Sequence, residues 1–327
     1  MMAQPRGLAR LCSQVLGAAL AAALVLSLPR AAQAEEWPTR PIQLINPYPA
    51  GSVTDLLARA LAPGLSSRLG QPVVVVNRDG AGGSVGIAAV ARSAPDGYTL
   101  TFSATTPLIV SPMLRADTGY TAASLDGICQ TYDHAFALVV AESSPIRSLA
   151  DMVTEARRRG GLQYGHLGVG SIQHLAGAAL AEAAGIELEP VAYRGDGAVV
   201  IDVQASRIDI GITVAAFVVN QPVRVISILA EQRSPGFPEV PIAREVGYDV
   251  SVASYGGVLA PAGLPAAVRA RLEGACESAA VDETYVAMAR RTLQPERYYL
   301  GATAFGARMA GDLQAKESLL RRMGLAR

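Results

Sequence analysis

Beyond residue 37 the chain keeps switching between two periodicities, and this alternation is what most limits the folds open to it. Short runs rich in β-branched residues, Ile42 to Asn46, Val73 to Asn77 and Tyr98 to Ser103, read as strands. Between the first two, Leu56, Leu57, Ala60, Leu61, Leu65 and Leu69 recur at helical spacing, and Gly70 supplies the stop. Pro63-Gly64 falls inside that helix and predicts a kink or a break. A strand at Phe136 to Val140 follows, then a helix opened by Ser148 with Asp151 three residues on. Arg157, Arg158 and Arg159 close that helix, where cations favour the dipole and read as a solvated end. Further strands are expected near Gln163 to His166, Pro190 to Tyr193, Ile208 to Thr213 and Val223 to Leu229. Strands alternating with helices predict parallel sheets covered on both faces, and two such blocks predict two α/β lobes. Crossings between the lobes are expected near Tyr132 to Phe136 and near Val250 to Tyr255.

The first 34 residues follow a different grammar. Arg6 and Arg10 form a basic leader, an apolar run extends from Val15 to Leu28, and Ala32-Gln33-Ala34 offers a cleavage site. This is the pattern of a secretory signal peptide, too short in its apolar core to span a bilayer, and it predicts a mature chain that starts near Glu35 in the periplasm. Cys12 precedes the apolar run, so it is not placed to carry a lipid. Removal of Arg6, Arg10 and Arg30 leaves 25 basic against 28 acidic residues. That balance provides no basic surplus for gripping a nucleic-acid backbone. Cys129 and Cys276 remain, too few for a disulfide framework. They read as two small buried apolar side chains, and a single bridge stays open because sequence gives no distance.

Two segments have the form strand, glycine turn, helix N-terminus. In the first, Pro47-Tyr48-Pro49-Ala50-Gly51-Ser52 leads into a helix, with Asp55 three residues after Ser52. In the second, Gly168-Val169-Gly170-Ser171 does the same, with His174 three residues after Ser171. Unpaired backbone N–H groups and the positive end of the dipole suit each turn to a carboxylate, although each is equally well a capped helix with nothing bound. Gly80 to Gly86 invites a dinucleotide reading, but its glycines have the wrong spacing and no acid closes the next strand. It reads instead as a tight turn packed under a helix. There is no G-x-S-x-G elbow, and His134, His166 and His174 have no metal-ligand spacing, so neither a catalytic residue, a metal nor a cofactor is expected.

Taken together these stretches resemble the receptor family of tripartite tricarboxylate transporters, also called Bug proteins. The pieces are Trp37-Pro38-Thr39-Arg40-Pro41-Ile42, Pro49-Ala50-Gly51 with Asp55, Gly70 to Arg78, Gly80-Ala81-Gly82-Gly83 and Ala94-Pro95-Asp96-Gly97-Tyr98-Thr99-Leu100. Later come Gly168 to Ala176, Tyr193-Arg194-Gly195 and Leu259 to Gly263. The resemblance implies an α/β fold like the type II periplasmic binding proteins, with two α/β lobes and a ligand cleft between them. Residues 35–134 plus 252–327 would form lobe 1 and residues 135–251 lobe 2. It further implies a small organic carboxylate held by Tyr48, Ala50, Gly51, Ser52 and Asp55 of lobe 1, and by Gly170, Ser171, His174, Tyr193, Arg194 and Gly195 of lobe 2. Asp209 matches an acidic position that would either read a ligand amine or support its strand. The implied partner is the membrane permease of such a transporter, served by a monomer. A periplasmic sensor, or a hydrolase or transferase on a similar scaffold, are the rival roles. Ser52, Val169, Ala192 and Tyr255 depart from the family's usual residues, which bears on the ligand more than on the fold.

Overall fold

The structure, a computed structural model, describes residues 37–250, 252 and 254–325. The expected leader at 1–34 lies outside them. Eleven strands are distributed over two sheets among the described residues.

The first sheet begins with β1 (Ile42–Asn46), α1 (Val53–Leu69), β2 (Val73–Asn77), α2 (Ser84–Ala91) and β3 (Thr99–Ala104). β1 pairs in parallel with both β2 and β3, as right-handed helical crossovers require. Two single-turn helices follow, α3 (Thr106–Ile109) and α4 (Ser111–Leu114), and then β4 (Leu125–His134). Only Ala135 separates β4 from β5 (Phe136–Ala141), the first strand of the second sheet. That sheet continues through α5 (Leu149–Arg159), β6 (Leu162–His166), α6 (Ile172–Ala184), β7 (Leu188–Ala192), α7 (Asp196–Gln204), β8 (Ile210–Val214) and β9 (Val223–Leu229). The chain then rejoins the first sheet as β10 (Ser254–Pro261), and ends with α8 (Ala266–Ala279), α9 (Glu283–Arg291), β11 (Leu300–Gly301) and α10 (Ala302–Arg322). The strand orders are β11-β4-β10-β3-β1-β2 and β7-β6-β8-β5-β9.

The expectation of parallel sheets is met only in part. β1 to β3 and β6 to β8 are parallel, whereas β10 is antiparallel to β3 and β4, and β5 is antiparallel to β8 and β9. The cause is the crossing itself: a chain that passes from one sheet to the other without a helical return enters running against its neighbours. The eight strands read from the sequence otherwise fall close to where the periodicity placed them, and the passage from β4 to β5 lies at the first expected crossing, whereas most of β4 and β10 and all of β11 were not read.

Two other expectations are corrected. α1 runs unbroken through Pro63-Gly64. Gly64 brings it close to the α8–α9 junction, since a Cβ there would sit 2.9 Å from the Ala279 Cβ, and this packing supports a continuous helix that lacks one hydrogen bond. Cys129 and Cys276 are joined in a disulfide that fastens α8 to β4, with Cα atoms 6.5 Å apart. Both are fully buried as expected, but proximity that sequence could not give makes them a bridge. The three arginines closing α5 are each engaged: Arg157 donates to the Ala184 carbonyl, Arg158 to Glu155 and Arg159 to Asp209.

Candidate functional site

At the C-terminal end of β1 the chain turns through Gly51, whose φ of 82° lies in the left-handed region that glycine adopts without strain. Ser52 follows in an extended conformation and accepts the Asp55 N–H at 3.2 Å, capping α1 as the spacing predicted. Asp55 is 2% exposed and turned inward. It accepts the Gly51 N–H at 2.9 Å, Asn77 Nδ2 at 2.8 Å, Arg59 Nε at 3.1 Å and Asn46 Nδ2 at 3.3 Å. Burial acts to raise its pKa, but the bonds from Arg59, Gly51, Asn77 and Asn46 outweigh it and hold the carboxyl below its ordinary range. Asn77 also donates to the Tyr48 carbonyl, so this network shapes the whole turn. Tyr48 is half-buried, with its hydroxyl on Ser103 and the Ala104 backbone, and burial pushes its pKa up to about 12. Ala50 and Gly51 are exposed and Ser52 partly so.

The second turn is held by other means. Beyond β6, Gly168 and Gly170 take φ of 105° and 79°, and Ser171 accepts the His174 N–H at 3.2 Å to cap α6. His174 Nδ1 accepts the Gly170 N–H at 3.2 Å, while His166 Nδ1 lies 3.1 Å from the Gly168 N–H and 3.0 Å from the Gly168 carbonyl, accepting from the first or donating to the second according to its tautomer. The two rings stack with centroids 4.6 Å apart. Burial, with a smaller contribution from His166, lowers the His174 pKa to about 4, and burial lowers that of His166. Both imidazoles are therefore neutral at pH 7, which leaves the His174 Nδ1 free to accept. His174 is 7% exposed, so it props the turn from behind.

A Cβ on Gly170 would collide with Leu114 and lie 3.3 Å from Val110, so the start of α6 meets the α3–α4 segment that leaves β3. Ile109 and Val110 share one core cluster with Ile172 and Leu175. The C-terminal end of β6 thus lies beside the segment that leaves the C-terminal end of β3, and C-terminal strand ends are the usual place for ligands in open α/β sheets.

Of the other expected residues, Arg194 is exposed and Gly195 lies at the start of α7 on this same edge. Tyr193 is turned aside, its hydroxyl donating to Asp202 at 2.9 Å, and burial with that carboxylate raises its pKa to about 12. Asp209 is not brought here. It precedes β8, at the opposite end of the strand, where it binds Arg159 at 2.5 Å and accepts the Gln163 N–H at 2.8 Å. Three polar residues on the cleft edge escaped the sequence reading: Gln173, Asp196 and Thr213. The one available signal was an acid directly after Gly195 at a helix start, where it is ordinarily a dipole partner.

Residues 57–324 match the family described as the tripartite tricarboxylate transporter family receptor. A protein from the gbd 5′ region of Cupriavidus necator is 30% identical over 95% of this chain and 96% of its own length. Protein BugT of Bordetella pertussis is 35% identical over 78% of this chain and 82% of its own. Among solved structures, a TctC solute-binding protein from Polaromonas superposes with a TM-score of 0.75 at 30% identity, covering 88% of this chain and 99% of that one. With a family match over most of its length, the chain belongs to the tripartite tricarboxylate transporter receptor family.

Proposed function

We propose that this protein is an extracytoplasmic solute receptor that captures a small organic carboxylate between two lobes and presents it to the membrane permease of a tripartite transporter. Lobe 1 comprises residues 35–134 and 252–327, and lobe 2 comprises residues 135–251. The protein is exported by the leader at 1–34, works in the periplasm as a monomer and performs no chemistry on its ligand. One observation supports this reading: Ser52 and Ser171 cap two helices, each entered through a left-handed glycine at the C-terminal end of a parallel strand, one from each sheet. Backbone N–H groups at two facing helix N-termini favour an anion without a cationic side chain. The exposed Ala50 and Gly51 with Ser52 on one side, and Ser171 on the other, are the groups that would touch it, while the buried Gly170, its N–H on His174, shapes the second turn. Tyr48, Asp55, His174 and Tyr193 support these turns, and Arg194 adds charge at the rim. Membership of a receptor family agrees with binding alone.

Ligand binding is expected to raise thermal stability, by about 2.7 kcal/mol at a hundredfold excess over Kd. A thermal-shift screen of mono-, di- and tricarboxylates and amino acids on the exported protein tests this. A shift with a sugar or a metal ion, alongside none with any carboxylate, overturns the ligand class.

A further inference from the structure

The cleft edge of the second sheet carries a carboxylate that no cation neutralises. Asp196 is the first residue of α7, directly after Gly195, and its Oδ1 accepts the Val214 N–H at 3.2 Å where β8 ends. Its other partners are the Gln173 side chain and its own backbone N–H, and no ion pair among the described residues includes it. The side chain is partly accessible, yet its surroundings raise its pKa to about 6 through burial, opposed by those hydrogen bonds. It is thus mainly ionised at pH 7 although largely shielded from solvent.

Two neighbours complete a recognisable surface. Thr213 is fully buried, and its Oγ1 has no hydrogen-bond partner. It pairs in register with Ala137, and Gly211, two residues back on the same face and paired with Val139, lies against Val199 and Val203 of α7. Thr213 therefore points to the α7 side, one step nearer the cleft than Gly211, toward the helix turn that Asp196 begins. Phe217 follows β8 and is 45% exposed, and a Cβ on Gly197 would lie 3.7 Å from its ring. A buried hydroxyl lacking a partner, an anion lacking a cation and an open aromatic ring thus gather around the first turn of α7.

We propose that Asp196, Thr213 and Phe217 recognise a protonated amine on the ligand, so that the solute is a monocarboxylate bearing an ammonium group. The inference rests on the carboxylate reading above and narrows it. The ligand's carboxylate goes to the glycine turns, and its amine lies against Asp196 with Phe217 presenting a π-face. A di- or tricarboxylate would bring a second negative charge to Asp196. An acid at a helix start that serves only the dipole and the Val214 N–H would leave Thr213 Oγ1 unexplained and would not discriminate among ligands.

Calorimetric titration of matched pairs separates these roles: alanine with propionate, leucine with 4-methylpentanoate and γ-aminobutyrate with butyrate, with succinate, malate and citrate alongside. At least one amine-bearing member is expected to bind tenfold or more tightly than its amine-free partner, and Asp196→Asn is expected to abolish that preference. Thr213→Val, which keeps the shape, should reduce the preference severalfold and serves if the Asn variant fails to fold. Equal binding within every pair, or a preference that survives both substitutions, overturns the amine subsite. If succinate, malate or citrate binds while no amine does, this inference fails and the carboxylate reading stands; if no carboxylate of any kind binds, both fail.

Discussion

The two glycine turns have the same outline and opposite support. Each ends a parallel strand, passes through left-handed glycine and enters a helix capped by a serine that accepts an N–H three residues on. Behind the first turn lies an ionised carboxylate with four donors; behind the second lie two stacked neutral imidazoles. Asp55 works only while charged, and His174 accepts the Gly170 N–H only while uncharged. Similar backbones can thus be built on opposite electrostatic logic, and the difference should emerge wherever charge is removed or added.

The largest effect is expected from Asp55→Ala. It leaves the Gly51 N–H, Asn46 and Asn77 without their acceptor and Arg59 without its counter-charge. Breaking a buried charged network by removing one member costs about 3 to 5 kcal/mol, and urea unfolding should show a loss of that order. A loss below about 1 kcal/mol would mean that Asp55 does not support the turn, and the contrast would collapse.

Acid should affect the turns in a different order. The His174 pKa is depressed in the folded protein from 6.5 to about 4, so its contribution is complete above pH 6.5 and disappears as the pH falls toward 4. A shift of that size is worth roughly 3 kcal/mol. Asp55 is held below its ordinary 3.8, so its contribution is complete above that value and is lost only at lower pH. Hydrogen exchange compared at pH 7 and pH 4.5, corrected for intrinsic rates, should show residues 168–171 losing protection while residues 49–55 keep theirs. Simultaneous loss would place the support for the second turn elsewhere than in its histidines.

How much of this was legible followed the range of the interactions. The strands were visible because β-branched runs act over a few residues, and both serine caps because capping spans three. The antiparallel strands were not, because strand direction depends on where the chain crosses between sheets. The Cys129–Cys276 bridge spans 147 positions, which no local pattern measures. At the site, the glycine turns could be read, whereas the inward rotation of Asp55 and His174 depends on partners such as Asn77 and the Gly170 N–H. Asp209 and Asp196 make the point most clearly. Both are acids beside strand or helix ends, and only the strand's polarity reveals that one lies at the Arg159 end of β8 and the other at the Val214 end.

The smallest stability effect, and the most direct comparison of the turns, comes from removing each cap. Ser52→Ala and Ser171→Ala should each cost about 1 kcal/mol of stability, because each leaves one helix N–H without its acceptor. Binding should respond separately. If Ser171 both caps α6 and donates to the ligand, its loss weakens binding by about 1.5 to 3 kcal/mol, tenfold or more, as for a hydrogen bond to a charged group. Ser52 is partly exposed on the facing turn, and a ligand that bridges the cleft should register its loss as well. Titration of both variants with whichever ligand the screen identifies, beside their unfolding curves, distinguishes the cases. Equal stability losses with weakened binding in both variants mean that the ligand spans the two turns. Unchanged affinity in Ser171→Ala would reduce the second turn to a capped helix, leaving the anion to be held from the first sheet alone.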